Sequence, residues 1–414
     1  MCITNYEEST MAAHRMEFSV QSEISTNYEA EQEVSPSLQR QLGRATFEGL
    51  HLANPVETHP YTDLELKLNH SIVGQPDAVR CTVNALNRDE LRNPNRPRAI
   101  MLYLGPTGVG KTQTARELSR HLHPDDDNAY LRIDCSMFAQ PHTVASLTGA
   151  PPGYVGREQK PLFDPEIIEK DKSVVVFDEA EKGSGQLHDL MLQIMEEGEV
   201  TLNTTGEKVS FRDSIIIITT NLGSTEMMRL LDTRPTGFQA VAVETARATK
   251  QHIGKATDAA LKQSFRPEFL NRIDQRVVFN PLDDNHLTQV LDNYVEAANE
   301  RYKRAGVLLQ MTPELKERIV TSTEDRHQFG ARPILRAYER MVESNLSQHI
   351  NTGSIPRGSN VYAALSDESD ASHEYGEDVN FYFQRNPILA PKPKTKEVVV
   401  VVSEAMSEDE SQVA

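Results

Sequence analysis

Gly105, Pro106, Thr107, Gly108, Val109, Gly110, Lys111 and Thr112 follow one another directly after the apolar run 100–104. Their order is that of a phosphate-binding loop between a strand and a helix. The glycines let backbone N–H groups converge on phosphate oxygens, where side chains would intrude. The start of the following helix adds partial positive charge. Lys111 is placed to reach the β- and γ-phosphates, and the Thr112 hydroxyl to ligate Mg²⁺. The expected ligand is a nucleoside triphosphate.

A second pattern, Val174-Val-Val-Phe-Asp-Glu179, is a hydrophobic strand ending in two carboxylates. Downstream of a phosphate loop, Asp178 is expected to hold Mg²⁺ through water and Glu179 to polarise the attacking water. A third run, Ile217-Ile-Thr-Thr-Asn221, also ends in a polar side chain. If its strand neighbours that of Asp178, Asn221 reaches the γ-phosphate or the water. The alternative is a turn-forming asparagine.

The elements that must carry these groups are short apolar runs at 100–104, 130–133, 173–177 and 214–218, alternating with helical stretches. Such runs indicate a parallel sheet buried on both faces. A helix is expected from Gln75-Pro76 and another from the phosphate loop to about His121. Beyond Pro281 the chain reads mostly as helix, at 287–305, 313–322 and 333–350, followed by strands at 360–365 and 379–383. The expected fold class is α/β: a parallel sheet sandwiched by helices, then a small, mostly helical lid domain with a short C-terminal sheet. The expected division is an acidic, mostly disordered extension at 1–66, a nucleotide-binding domain at 67–280, the lid at 281–387 and a disordered acidic tail at 388–414. Val398 to Val402 form an apolar run inside that tail, expected to pair as an edge strand or to be an aggregation hazard.

Composition narrows the partners. The net charge of −18 is concentrated at the ends, with 11 acidic and 3 basic side chains in 1–66 and 11 and 4 in 366–414. Acidic flanks argue against nucleic acid, which requires clustered Lys and Arg; they read as solvated tails. The cysteines, Cys2, Cys81 and Cys135, lack metal-ligand spacing and suit a reducing compartment. No apolar run is long enough to span a bilayer, and the N-terminus lacks a signal-peptide core. A cytoplasmic location without a membrane partner is expected.

From about residue 70 to 365 the chain resembles the Clp-type AAA+ ATPases (the ClpA, ClpB and ClpC family), above all the second ATPase module of the two-ring members. The resemblance rests on ordered blocks: Ile72-Val-Gly-Gln75, the loop of 105–112, Gly149-Ala-Pro-Pro-Gly-Tyr-Val-Gly156, Phe177-Asp-Glu-Ala-Glu-Lys182, Thr220-Asn-Leu-Gly-Ser224, Phe265-Arg-Pro-Glu-Phe-Leu-Asn-Arg-Ile-Asp274 and Phe329-Gly-Ala-Arg-Pro333. It implies ATP as the nucleotide, with Ile72 and Val73 against adenine. It makes Asn221 the sensor 1 residue. Arg272 becomes the arginine finger entering a neighbour's site, where a surface salt bridge is its alternative. Arg332 becomes sensor 2, coupling phosphate state to lid angle; Arg266 lies near the finger. Gly153, Tyr154, Val155 and Gly156 become a pore loop whose aromatic ring grips an extended polypeptide; read alone, Pro-Pro-Gly-Tyr is a turn. Segment 197–210 matches a second pore loop in position.

The chain departs from the pattern in places. Arg157-Glu-Gln-Lys-Pro161 replaces the acidic, glycine-containing continuation of the pore loop. One ATPase module is expected here, without the N-terminal repeat, the first module, the coiled-coil insertion or a zinc finger, so cooperation with the family's usual heat-shock chaperone partner is not expected. Gly237-Phe238 sit where peptidase-feeding members carry an aliphatic-Gly-Phe/Leu tripeptide, but Thr236 replaces the aliphatic anchor, a loss of about 1–2 kcal/mol of docking.

The resemblance therefore implies an ATP-dependent unfoldase or disaggregase acting on unfolded or aggregated proteins as a homo-oligomeric, hexameric ring. The alternative is the regulatory ATPase of a Clp-type peptidase. A nucleotide-switched scaffold is disfavoured by the full set of catalytic residues, and a DNA-acting motor by acid balance and Tyr154.

Overall fold

The computed structural model describes residues 61–87, 92–150, 160–224, 257–323, 326–366 and 379–386, all of them in one unit, Pro60–Ala414. The expectations for residues 1–60, 151–159, 225–256 and 387–414, the apolar run 398–402 among them, lie outside the described residues.

Five parallel strands form the central sheet: β1 (Ala99–Leu104), β2 (Tyr130–Asp134), β3 (Val174–Asp178), β6 (Ile215–Thr220) and β7 (Gln275–Val278), in the order β2-β3-β6-β1-β7. β1, β3 and β6 are buried at every position, because side chains alternate between two covered faces. Met101, Tyr103, Val174, Val176, Ile215 and Ile217 join the core beneath helices α1 (Thr62–Ser71), α2 (Pro76–Leu86) and α3 (Lys111–Leu122). Ile100, Leu102, Val175, Phe177, Ile216 and Ile218 pack on Leu187, Met191 and Ile194 of α4 (Gly185–Glu197) and on Phe265 and Phe269. β6 lies between β3 and β1, with Thr220 opposite Leu104 and Ile218 opposite Phe177. The condition set for Asn221 is thereby met: three strand ends open side by side.

The chain then passes Phe279 and Leu282 into α5 (Asp284–Ala305), α6 (Pro313–Thr321), α7 (Ala331–Tyr338) and α8 (Ser344–Thr352). A three-stranded sheet, β8 (Val307–Met311), β9 (Ser359–Leu365) and β10 (Val379–Arg385), closes this part in the order β10-β9-β8. Its buried residues share one continuous core with those under the large sheet. No described helix is long and apolar enough to cross a membrane.

Three departures from expectation have physical causes. α1 begins at Thr62, ahead of the expected boundary at 67, because Leu64 and Leu68 are buried one turn apart. β7 and β8 are strands that the sequence does not announce; β7 buries one of its four residues and β8 two of its five, so neither gives an apolar run. The expected helix over 333–350 is interrupted by a π turn, Glu339–Glu343. Its buried stripe runs 334, 337, 338, 341, 342 and then 346 in place of 345, and the wider turn absorbs that one-residue slip.

Segment 197–210 is an antiparallel hairpin of β4 (Glu199–Thr201) and β5 (Lys208–Ser210). Asn203 at its tip donates from its backbone and its Nδ2 to the carbonyl and hydroxyl of Thr148, each at 2.8 Å. The hairpin thus rests on the stem that leads into 151–159.

Candidate nucleotide site

The phosphate loop joins the end of β1 to α3. Gly105 has φ +146, and a Cβ there would lie 2.5 Å from the carbonyl oxygen of Phe279, so glycine is required where the exit of β7 crosses the loop. α3 is preceded by Gly110, which offers it no side-chain cap. Its first N–H groups are therefore left for a ligand.

Lys111 is 7% exposed. Its Nζ donates to the carbonyls of Gly105 and Pro106, both at 2.6 Å, and to Asn221 Oδ1 at 2.8 Å. Burial pushes its pKa down to about 8, against the opposing pull of Glu181 and Asp178. Arg332 also lies near enough to lower it. The ammonium is thus parked on its own loop, held by weak acceptors that phosphate oxygens would replace.

Asp178 ends β3 with a buried carboxylate. It accepts from Thr112 Oγ1 at 3.2 and 3.3 Å, from Thr219 Oγ1 and from Arg132 Nε at 2.8 Å. The same Thr219 hydroxyl accepts from the backbone N–H of Glu179 at 3.0 Å. Glu179 has φ +55, a left-handed conformation that costs a non-glycine residue about 1–3 kcal/mol and clusters at functional sites. Its carboxylate pairs with Lys182 at 2.5 Å.

Asn221 accepts from Lys111 and, at 3.4 Å, from Thr107 Oγ1. Its backbone N–H and its Nδ2 donate to Glu181 Oε1 at 3.2 and 3.3 Å. Ile72 is buried, with its Cγ2 facing the open side of Gly110; Val73 is half-buried beside it. Gln75 is buried, donating from Nε2 to the carbonyls of Asn280 at 2.7 Å and Val109 at 3.3 Å, and accepting from the backbone of Asn280 at 2.9 Å. It ties the phosphate loop to the exit of β7.

The lid closes on the same loop. The Ala331 N–H donates to Gly108 O at 3.1 Å. Gly330, at φ +61, approaches so closely that a Cβ would sit 2.5 Å from that oxygen. Arg332 follows at the exposed start of α7. Arg272 is not brought to this site. It pairs instead with Glu196 of α4, Nε to Oε1 at 2.7 Å, and Arg266 pairs with Asp189. Gly153, Tyr154, Val155, Gly156 and the Gly237-Phe238 loop lie outside the described residues.

Sequence reasoning missed Arg132, Thr219 and Glu181 as members of this site and gave Gln75 no role. The available signals were an arginine interrupting the apolar β2 and the second acid of Asp-Glu-Ala-Glu. The donor set suits Mg²⁺, a hard cation usually held by one or two protein oxygens with water and phosphate completing the shell. Thr112 and Asp178 would supply those oxygens. Among the described residues no cluster of three or more His, Cys, Asp or Glu offers an all-protein cage.

Residues 96–276 match the family described as AAA domain (Cdc48 subfamily), and residues 282–363 match the C-terminal, D2-small domain of ClpB protein. The chain is 37% identical over 310 residues to the ATP-dependent Clp protease ATP-binding subunit ClpC of Staphylococcus saprophyticus. The corresponding proteins of Staphylococcus epidermidis and Staphylococcus aureus are 36% and 37% identical over the same length. Each alignment takes in 74% of this chain, which spans 37% of the length of these relatives.

Proposed function

The chain belongs to the Clp-type AAA+ ATPases, and on that premise we propose that it hydrolyses ATP to unfold or disaggregate proteins, threading them through the pore of a hexameric ring. The observation that carries this reading is the division of the site. Lys111, Thr112, Asp178, Glu179 and Asn221 converge within one chain, while Arg272 is held away on Glu196. A neighbour in a closed, head-to-tail ring would complete it.

In hydrolysis, Lys111 leaves the loop carbonyls for the β- and γ-phosphate oxygens. Thr112 and Asp178 would hold Mg²⁺, which withdraws charge from the phosphates when bound. Glu179 takes the proton from the attacking water as its oxygen bonds the γ-phosphorus and the bond to the leaving ADP oxygen breaks. Asn221 orients the water or a γ-oxygen. Arg272 of the next subunit neutralises the charge that develops, an effect of about 10³–10⁵ in related phosphoryl transfers. Arg332 carries the phosphate state to the lid, and Tyr154 transmits each stroke to the substrate.

Regulation of a Clp-type peptidase is the second reading, favoured by what the ClpC relatives are named for. Dependence of peptidase binding on Gly237-Phe238 separates the two. The functional test is ATPase rate with and without casein, in wild type and Tyr154→Ala. Threading expects stimulation that the variant loses while keeping basal turnover. Equal rates that ignore casein in both proteins would overturn it.

A further inference from the structure

Glu181 lies in the single turn that follows the strained Glu179, Ala180–Lys182. Its Oε1 accepts two N–H groups from one residue, the backbone and the carboxamide of Asn221. Its Oε2 is buried and has no hydrogen-bond partner among the described residues. An oxygen desolvated without return is costly, so retaining this side chain rests on what Oε1 does.

A carboxamide has two nearly isosteric ends. Rotation of the Asn221 amide by half a turn would put Nδ2 against Lys111 Nζ, donor against donor, and Oδ1 against the Glu181 carboxylate, acceptor against acceptor. Lys111 at 2.8 Å and Glu181 at 3.3 Å therefore select one orientation from opposite sides. One Nδ2 hydrogen is committed to Glu181. The second is left for a γ-phosphate oxygen or the attacking water. When Lys111 moves to the phosphates, Glu181 alone keeps that orientation.

We propose that Glu181 is a positioning residue: by capturing both N–H groups of Asn221 it fixes which end of the carboxamide faces the γ-phosphate. The inference rests on the reading of Asn221 as the γ-phosphate sensor. It differs from a role in which the negative charge of Glu181 tunes Lys111, because a neutral glutamine of the same length retains the acceptor and an aspartate, one methylene shorter, retains only the charge.

The test compares Glu181→Gln, Glu181→Asp and Glu181→Ala in steady-state ATPase and in binding of a fluorescent ATP analogue. Misplacement of a group that orients the reacting atoms is expected to lower kcat about tenfold or more in the Asp and Ala variants. Nucleotide Kd should stay within about threefold of wild type, since phosphate binding is carried by Lys111 and the loop. The Gln variant is expected to recover most of the loss. Adding Glu181→Ala to Asn221→Ala should cost nothing further, because Glu181 acts only through Asn221. The inference is overturned if Asp outperforms Gln, if Ala matches wild type, or if the double variant loses the product of the single losses. A structure of the free Glu181→Asp protein reads the position directly. The inference expects Asn221 to leave its place opposite Lys111, and an unchanged carboxamide refutes it even if the wild type hydrolyses no ATP, a result that would separately remove the proposed function.

Discussion

Replacing Gly330 by alanine should prise the lid from the phosphate loop. Gly330 adopts φ +61 and ψ −134, a conformation open in practice to glycine alone. A Cβ would lie 2.5 Å from the carbonyl oxygen of Gly108 and 2.7 Å from its carbon. Both are backbone atoms, with no flexible side chain to yield. The cost has two parts: about 1–3 kcal/mol for the strained backbone, and about 0.5–1.5 kcal/mol for the hydrogen bond from Ala331 N to Gly108 O that must be given up. The sum of about 1.5–4.5 kcal/mol corresponds to a roughly 10- to 2 × 10³-fold smaller population of the closed arrangement. Hydrogen exchange of peptides covering the start of α7 reads it directly. The amide of Ala331 should exchange faster by that factor, with β1 and β3 unaffected. Protection within about twofold of wild type would refute the reasoning, since it would mean the contact is not what holds the lid.

Three further outcomes follow from the charges in the site. Lys111 is held near pKa 8, below the ordinary 10.5, so it is charged below about pH 8 and progressively neutral above. Nucleotide Kd should be flat up to pH 7 and rise by as much as about tenfold per unit above pH 8, because bound phosphate favours the charged form. For the ligand-free fold the sign reverses: the unfolded lysine keeps its proton up to about 10.5, so this group adds stability as pH rises from about 8 to 10.5. A Kd unchanged to pH 9.5 would contradict the lysine's assigned contact. Arg132→Gln removes the cation that pairs with buried Asp178 while leaving a side chain of similar reach. Urea unfolding without Mg²⁺ should show a loss of about 1–2 kcal/mol, modest because Arg132 is itself partly exposed, and an unchanged midpoint would dismiss the pair as incidental.

Much of this architecture is legible in the chain because burial on two faces writes itself as continuous apolar runs. β1, β3 and β6 could be read that way, and their order put Asn221 beside Asp178. The phosphate loop was legible because glycine spacing has a local cause. What escaped depends on residues distant in sequence meeting in space. Glu181 and Asn221 are 40 positions apart, and neither hints at the other. Nothing in the sequence ties Arg132 to Asp178; that contact exists only because β2 pairs with β3 and sets Ile133 beside Phe177. β7 was hidden because a short sheet-edge strand needs little apolar content. The π turn was hidden because a one-residue slip in a helical stripe resembles noise until the core it serves is known. The expectation for Arg272 was of a different kind: its role needs a second subunit, and within one chain only its resting partner, Glu196, is visible.

We propose that each site is completed by the neighbour's arginine, and subunit mixing tests this most directly. Glu179→Gln keeps Arg272 but lacks the group proposed to activate water; Arg272→Ala keeps Glu179 but lacks the proposed finger. Each alone should be nearly inactive. In rings formed from equal amounts of both, about a quarter of interfaces would join an intact Glu179 to an intact neighbouring Arg272, by random placement around a closed ring. The account predicts that ATPase activity reappears on mixing, in proportion to those interfaces. Rings confirmed as mixed that stay inactive, or an Arg272→Ala protein that hydrolyses ATP at the wild-type rate on its own, would contradict it.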